Sequence, residues 1–239
     1  MNKRHSEIIE LIHKEVKPAL GCTEPIAVAL AVAKAVEVLE EKCGMTDRLE
    51  TDFRIDVEVS ANILKNGMGV GIPGTGMVGL FIAAALGAVC GKSSYGLEVL
   101  HDLDEHSVKR AKVLVKEKLV KIRLADTEKK LYIKANVESE YPDGERHKGC
   151  AVIEDDHDNI VETWFDSQML TSSHKVAGCE SPDQKTTLDY KLTVREILDF
   201  ATNVAYEDIE FILESRTLNL ALAHEGLKGC YGLKVGYAI

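Results

Sequence analysis

Cys22 is the residue with the clearest chemical potential. It lies in Lys17-Pro18-Ala19-Leu20-Gly21-Cys22-Thr23-Glu24-Pro25, just ahead of an Ala/Val-rich run. Pro18 ends the helical pattern before it, because proline lacks the N–H that a helix interior needs. Gly21 gives the chain freedom to turn. Thr23 reads as the N-cap of the next helix, with Glu24 and Pro25 in the first turn, where both are favoured. A cysteine at such a mouth stands beside unpaired backbone N–H groups and the positive end of the helix dipole. That setting favours the thiolate, the form that attacks carbon or binds metal.

A second group follows forty residues on. Asn62, Lys65 and Asn66 precede Gly67, Gly69, Gly71, Gly74 and Gly76 in one glycine-rich stretch. Backbone N–H groups around Gly74, Thr75 and Gly76, placed ahead of a helix, can hold a carboxylate or phosphate, and the three polar side chains can add donors. Gly69-x-Gly71-x-x-Gly74 matches a dinucleotide fingerprint in form only. The strand before it ends near Ser60, Pro73 interrupts it, and Ser93 and Ser94 stand where an acidic ribose partner is required.

A third candidate, His157, falls with Asp158 and Asn159 at a turn between two strands. Asp155, Asp156 and Asp158 lack the glycine and the bidentate glutamate of a calcium loop. The six cysteines (Cys22, Cys43, Cys90, Cys150, Cys179, Cys230) form no C-x-x-C pair. A self-contained zinc or redox site is therefore not expected. Cys43 reads as ending a helix with Gly44, Cys90 as core and Cys150 as a strand residue.

The elements that must position these groups follow from periodicity. Ile8, Ile12 and Val16 mark an amphipathic helix over 4–17, and an apolar helix runs from about 24 to 42. Phe53, Ile55, Val57 and Val59 alternate with polar residues, which predicts a strand with one wet face. The Gly/Ala-rich run 77–90 suits a buried helix, and a charged helix fits 102–117. Strands are expected at 118–125, 130–138, 147–154 and 159–166, with Asp143-Gly144 as a turn. Ser181-Pro182-Asp183 marks a loop, and helices fit 193–203, 206–215 and 217–225. The fold class is α+β: a mostly antiparallel sheet, within about 51–166, packed with helices and flanked by helical segments at both termini.

The 239 residues are 45% hydrophobic with a formal net charge of −10. That is enough for a real core, and the acidity argues against nucleic acid or an anionic membrane as a main partner. The longest apolar run, Met77 to Cys90, is too short to span a bilayer. The charged residues 1–17 carry no secretory pattern, so a cytoplasmic protein with reduced thiols is expected.

Three segments together, Pro18-Ala19-Leu20-Gly21-Cys22-Thr23-Glu24-Pro25, Asn62-x-x-Lys65-Asn66-Gly67-x-Gly69-Val70 and Pro73-Gly74-Thr75-Gly76-x-Val78-Gly79, resemble the L-cysteine desulfidase branch of the iron–sulfur L-serine dehydratase superfamily. Ala83-Ala84-Ala85-Leu86-Gly87, Gly96-Leu97-Glu98-Val99-Leu100, His157-x-Asn159-Ile160-Val161, Leu218-Asn219-x-Ala221-Leu222 and Glu225-Gly226-Leu227 extend the resemblance along the chain in order. It implies β-elimination on L-cysteine or L-serine, giving pyruvate, ammonia and sulfide or water, at a [4Fe–4S] cluster whose open iron acts as a Lewis acid. Cys22 would be a cluster ligand. Thr23, Glu24, Asn62, Asn66, Gly74, Thr75, Gly76 and Asn159 would bind the amino-acid substrate, and Lys65 or His157 would take the α-proton. The resemblance covers the N-terminal half of such enzymes. The other cluster cysteines belong to a C-terminal half, Cys230 matches neither, and this chain alone is not expected to retain the cluster. It implies a missing half or partner subunit, and an apolar docking surface able to support homo-oligomers. The alternative is a non-catalytic amino-acid-binding or regulatory fragment.

Overall fold

The computed structural model describes residues 3–19, 21–44, 47–141, 144–173 and 191–228. The chain divides into two units, residues 1–18 with 181–239 and residues 19–180. Cys179, Cys230, the Ser181-Pro182-Asp183 loop and Asp143 lie outside the described residues.

In the first unit, α1 (Lys3–Glu15) buries His5 and Ile8. Val16, expected on that face, lies beyond the helix end and is exposed.

The larger unit opens with α2 (Thr23–Cys43), whose run of alanine, valine and leucine is buried from Pro25 to Leu39 with few breaks. Gly44 ends it in the left-handed conformation, its N–H donating to the Glu40 carbonyl. β1 (Phe53–Val59) alternates as the sequence predicts: Phe53, Ile55, Val57 and Val59 are buried, and the residues between are not.

The stretch read as a glycine loop is structured. It forms α3 (Ala61–Gly67), then a short hairpin of β2 (Gly71–Ile72) and β3 (Met77–Val78). α4 (Leu80–Cys90) follows, three residues later than predicted and buried from Leu80 to Val89 apart from Phe81. A 3-10 turn over Ser93–Glu98 leads to α5 (Glu105–Lys116). Asp104 caps α5 by accepting the Ser107 N–H at 2.8 Å, as an N-cap aspartate does.

β4 (Val120–Leu124), β5 (Tyr132–Glu140), β6 (Arg146–Glu154), β7 (Ile160–Phe165) and β8 (Gln168–Ser172) complete the sheet. Its order is β4-β1-β5-β6-β7-β8. Every pairing is antiparallel except β1 with β4. The α+β expectation holds; beyond the five strands predicted, the described residues add β8 to the sheet and the β2–β3 hairpin outside it.

The inner sheet face carries Phe53, Ile55, Val57, Ile133, Ala135 and Val137, and α2 and α4 cover it. Two glycines set the closeness of that packing. A Cβ on Gly149 of β6 would overlap the Ala35 carbonyl of α2, and one on Gly87 of α4 would overlap the Ala29 carbonyl. The outer face is charged at β1 and β4, where Arg123 bridges Asp56 at 2.8 Å and Glu58 at 2.9 Å. At β6 and β7 it carries a small apolar cluster of Cys150, Val152 and Val161 with Tyr132 and Trp164 against it.

In the first unit the chain resumes with α6 (Val194–Asn203), started by a Thr193/Glu196 capping box. α7 (Tyr206–Ile209), a 3-10 turn over Glu210–Ile212 and α8 (Leu213–Lys228) follow. The helices expected at 206–215 and 217–225 therefore divide elsewhere. Within this unit Arg4 pairs with Glu196 at 2.9 Å, His5 meets the Phe200 ring edge-on, and His13 stacks on Phe211 at 3.9 Å.

Candidate functional site

The α2 mouth is built one residue earlier than the sequence suggests. Gly21 has φ +108, which favours glycine, and Cys22, with φ −68 and ψ 134, occupies the N-cap position. Cys22 makes no side-chain cap bond. Thr23 is the first helical residue rather than the cap, and its hydroxyl lies 3.3 Å from His157 Nε2. Pro25 is tolerated at the third position because N–H groups there have no intrahelical acceptor.

The Cys22 thiol donates to Glu24 Oε2 at 2.8 Å, and Asn66 Nδ2 donates to Glu24 Oε1 at 3.0 Å. This corrects the expected thiolate. Burial, then the hydrogen bond to Glu24, push the Cys22 thiol above its ordinary value. The backbone N–H groups of Glu24 and Thr23 pull the other way and are outweighed. The helix mouth does favour the anion, as the sequence suggests, but burial and then the carboxylate two residues on outweigh it. Burial likewise pushes the Glu24 carboxyl up, yet the bonds from Cys22, its own backbone N–H and Asn66, with the nearby His157, together hold it below the carboxylate norm. Glu24 is thus a pinned, ionised carboxylate beside a protonated thiol.

Of the three polar residues on α3, only Asn66 reaches this group. Asn62 lies one turn before it on the same helical face. Lys65 is exposed and has no ion-pair partner among the described residues. No contact joins Lys65 to Cys22 or Glu24, so the structure does not bring this candidate base to the thiol.

The hairpin lies beside the helix mouth: the Cβ position of Gly21 is 3.8 Å from the Pro73 ring. Gly74 and Gly76 take φ +76 and +66. Both are exposed, and neither N–H has a backbone acceptor among the described residues. Thr75 differs from expectation. It is 2% exposed, and its hydroxyl donates to the Ile72 carbonyl at 2.7 Å and accepts the Met77 N–H at 2.9 Å. Its side chain holds the turn together and is not available to a ligand. The hairpin also separates Gly74–Gly76 from α4, so these N–H groups are not at a helix N-terminus as predicted. Gly79 caps α4 instead, with φ +94 and its N–H on the Val70 carbonyl.

The turn between β6 and β7 supplies His157. Asn159 closes this turn: its Nδ2 donates to the Glu154 carbonyl at 2.9 Å, and its N–H to the Asp156 carbonyl at 3.2 Å. Expected as a ligand contact, it closes in the structure the turn that carries His157.

The structure therefore assembles Cys22, Thr23, Glu24, Asn66 and His157, with the Gly74–Gly76 hairpin alongside. The sequence reading named these residues but not their pairings: nothing in the local patterns signals the Pro73–Gly21, Asn66–Glu24 or Thr23–His157 contacts.

Among the described residues, no other cysteine stands with Cys22 at the α2 mouth. Cys43 ends α2 at its far end, Cys90 donates to the Leu86 carbonyl within α4, and Cys150 is buried in β6. Among the described residues no three His, Cys, Asp or Glu side chains gather to hold a metal. Burial pushes Cys90 and Cys150 up to about 11. No helix among the described residues is long and apolar enough to cross a membrane.

Comparison with known proteins gives relatives along almost the whole chain. A UPF0597 protein of Shewanella halifaxensis is 43% identical over 230 residues, 95% of this chain and 51% of the relative. One of Parabacteroides distasonis is 43% identical over 234 residues, 98% of this chain and 51% of the relative. One of Bacteroides fragilis is 45% identical over 231 residues, 96% of this chain and 50% of the relative. The chain spans about half the length of these relatives. No family model matches the chain, and no solved structure matches it.

These findings overturn the family drawn from the motifs. The relatives that match throughout are UPF0597 proteins, a designation that states no activity, and no family model links the chain to the serine dehydratase-like enzymes. The β-elimination reading rested on that resemblance and falls with it.

Proposed function

We propose that the α2 mouth recognises a small zwitterion of amino-acid size. The observation that carries this reading is Glu24: an ionised carboxylate, fixed through both oxygens by Cys22 and Asn66, at a partly open site. Such a group is a counter-charge for an ammonium. The opposite end of a zwitterion would meet the exposed N–H groups of Gly74 and Gly76, which have no backbone acceptor among the described residues. Lys65, exposed on α3, adds positive charge nearby in an otherwise acidic chain.

The site also contains proton carriers. Cys22 holds a proton against Glu24, and His157 reaches the same helix turn through Thr23. A bound molecule that displaces the thiol from Glu24 takes over one of its hydrogen bonds and leaves the thiol free to donate. This arrangement supports acid–base chemistry on the bound molecule.

Calorimetric titration with a panel of α-amino acids, each paired with the analogue lacking its amino or carboxyl group, tests this. The expected outcome is saturable binding of at least one amino acid, weakened about tenfold or more in either analogue and in Glu24→Gln, as loss of a charge-assisted hydrogen bond requires. Equal binding of the desamino analogue, or unchanged binding by Glu24→Gln, would contradict it.

A further inference from the structure

A helix whose leucines are spread around its axis has no single face that one neighbour can cover. α8 carries Leu213, Leu218, Leu220, Leu222 and Leu227 around its axis, yet none of its residues is buried, and Leu222 is 72% exposed. α6 turns Phe200 inward and leaves Val194, Ile197 and Leu198 exposed. Scattered surface leucines are ordinary, whereas apolar residues in this number on one small helical unit mark a contact surface.

The relatives supply the second observation. Each is matched over about half its own length, so each carries about as much polypeptide again. We infer that the leucines of α8, with the exposed side of α6, are the docking surface for that remaining portion of the relatives' polypeptide. A segment on the same polypeptide reaches the surface at an effective concentration near millimolar, whereas a second copy must rely on its own concentration. Glu207, Asp208, Glu210 and Glu214 border the start of α8. The occupant therefore offers an apolar face to the leucines and basic side chains at this edge. The inference is independent of the zwitterion site.

The test is amide hydrogen exchange over 213–228, in this chain alone and in a chimera where it replaces the matched portion of the Shewanella halifaxensis relative. Exchange should slow at least tenfold in the chimera. Leu218→Glu with Leu222→Glu should return it to the rate of the single chain, while exchange in β1 and β5 stays the same. Because both leucines are exposed, these substitutions leave the isolated chain folded, which its circular dichroism checks. Equal exchange in both proteins would overturn the inference. So would protection that survives the substitutions. Protection that develops in this chain alone as its concentration rises would assign the surface to a second copy instead.

Discussion

At the scale of single residues, the site turns on one proton. The sequence places a cysteine at a helix mouth and so predicts a thiolate; burial and then the carboxylate of Glu24 change the outcome. Because that charge raises the thiol, Glu24→Gln should lower it, increase the thiolate fraction and speed iodoacetamide alkylation of Cys22 at pH 8 by about threefold or more. An unchanged or slower rate would show that Glu24 does not control the thiol. The same pair gives a pH signature. The Glu24 carboxyl is held below its ordinary value in the folded protein. Its stabilisation is therefore present above the unfolded-state value and is lost as pH falls through the folded one. Wild type should lose more of its melting temperature between pH 7 and pH 3.5 than Glu24→Gln does, and parallel losses would contradict the linkage. Cys22 and Glu24 were legible in the sequence because they are neighbours. Their third partner, Asn66, was legible only as a polar residue, since the bond to Glu24 depends on how α3 meets α2.

At the scale of elements, strong periodicity translated directly. β1 alternates cleanly, α2 is apolar throughout, and the sheet strands lie within a few residues of their predicted places. Short elements did not translate. α3 has seven residues and ends in Gly67, too short to establish a 3.6-residue period and adjoining a stretch rich in glycine. β8 was missed because the two-residue turn before it, Asp166-Ser167, contains no glycine, although Asp166 takes φ +50. The hairpin of β2 and β3 is held by the Thr75 hydroxyl rather than by strand pattern. Close approach is the other feature that sequence conceals: Gly149, in a strand, and Gly87, in a helix, are where neighbouring elements come close to the α2 backbone. Gly149→Ala and Gly87→Ala should each lower unfolding free energy by about 1–3 kcal/mol, the usual cost of overpacking, as read from urea midpoints. A shift below about 0.5 kcal/mol, the range of ordinary surface substitutions, would mean that the layers do not depend on these glycines.

At the scale of the whole molecule, a sheet-bearing unit presents the site and a separate helical unit presents exposed leucines. The relatives are about twice as long. The motif resemblance was specific enough to suggest a chemistry, but local segments such as the glycine hairpin can recur wherever a turn needs glycine, and the relatives that match along the chain carry a designation that states no activity. What remains is the geometry of the α2 mouth, and it makes a claim independent of any family: a small zwitterion occupies the space against Glu24 and Cys22. The most direct measurement is the alkylation rate of Cys22, followed by peptide mass spectrometry, with and without a saturating amino acid found by calorimetry. Cys90 and Cys150, pushed up to about 11 by burial, serve as internal controls. The account predicts that the ligand slows modification of Cys22 at least fivefold and leaves the controls unchanged. An unaltered Cys22 rate at saturation would place the ligand elsewhere and contradict it.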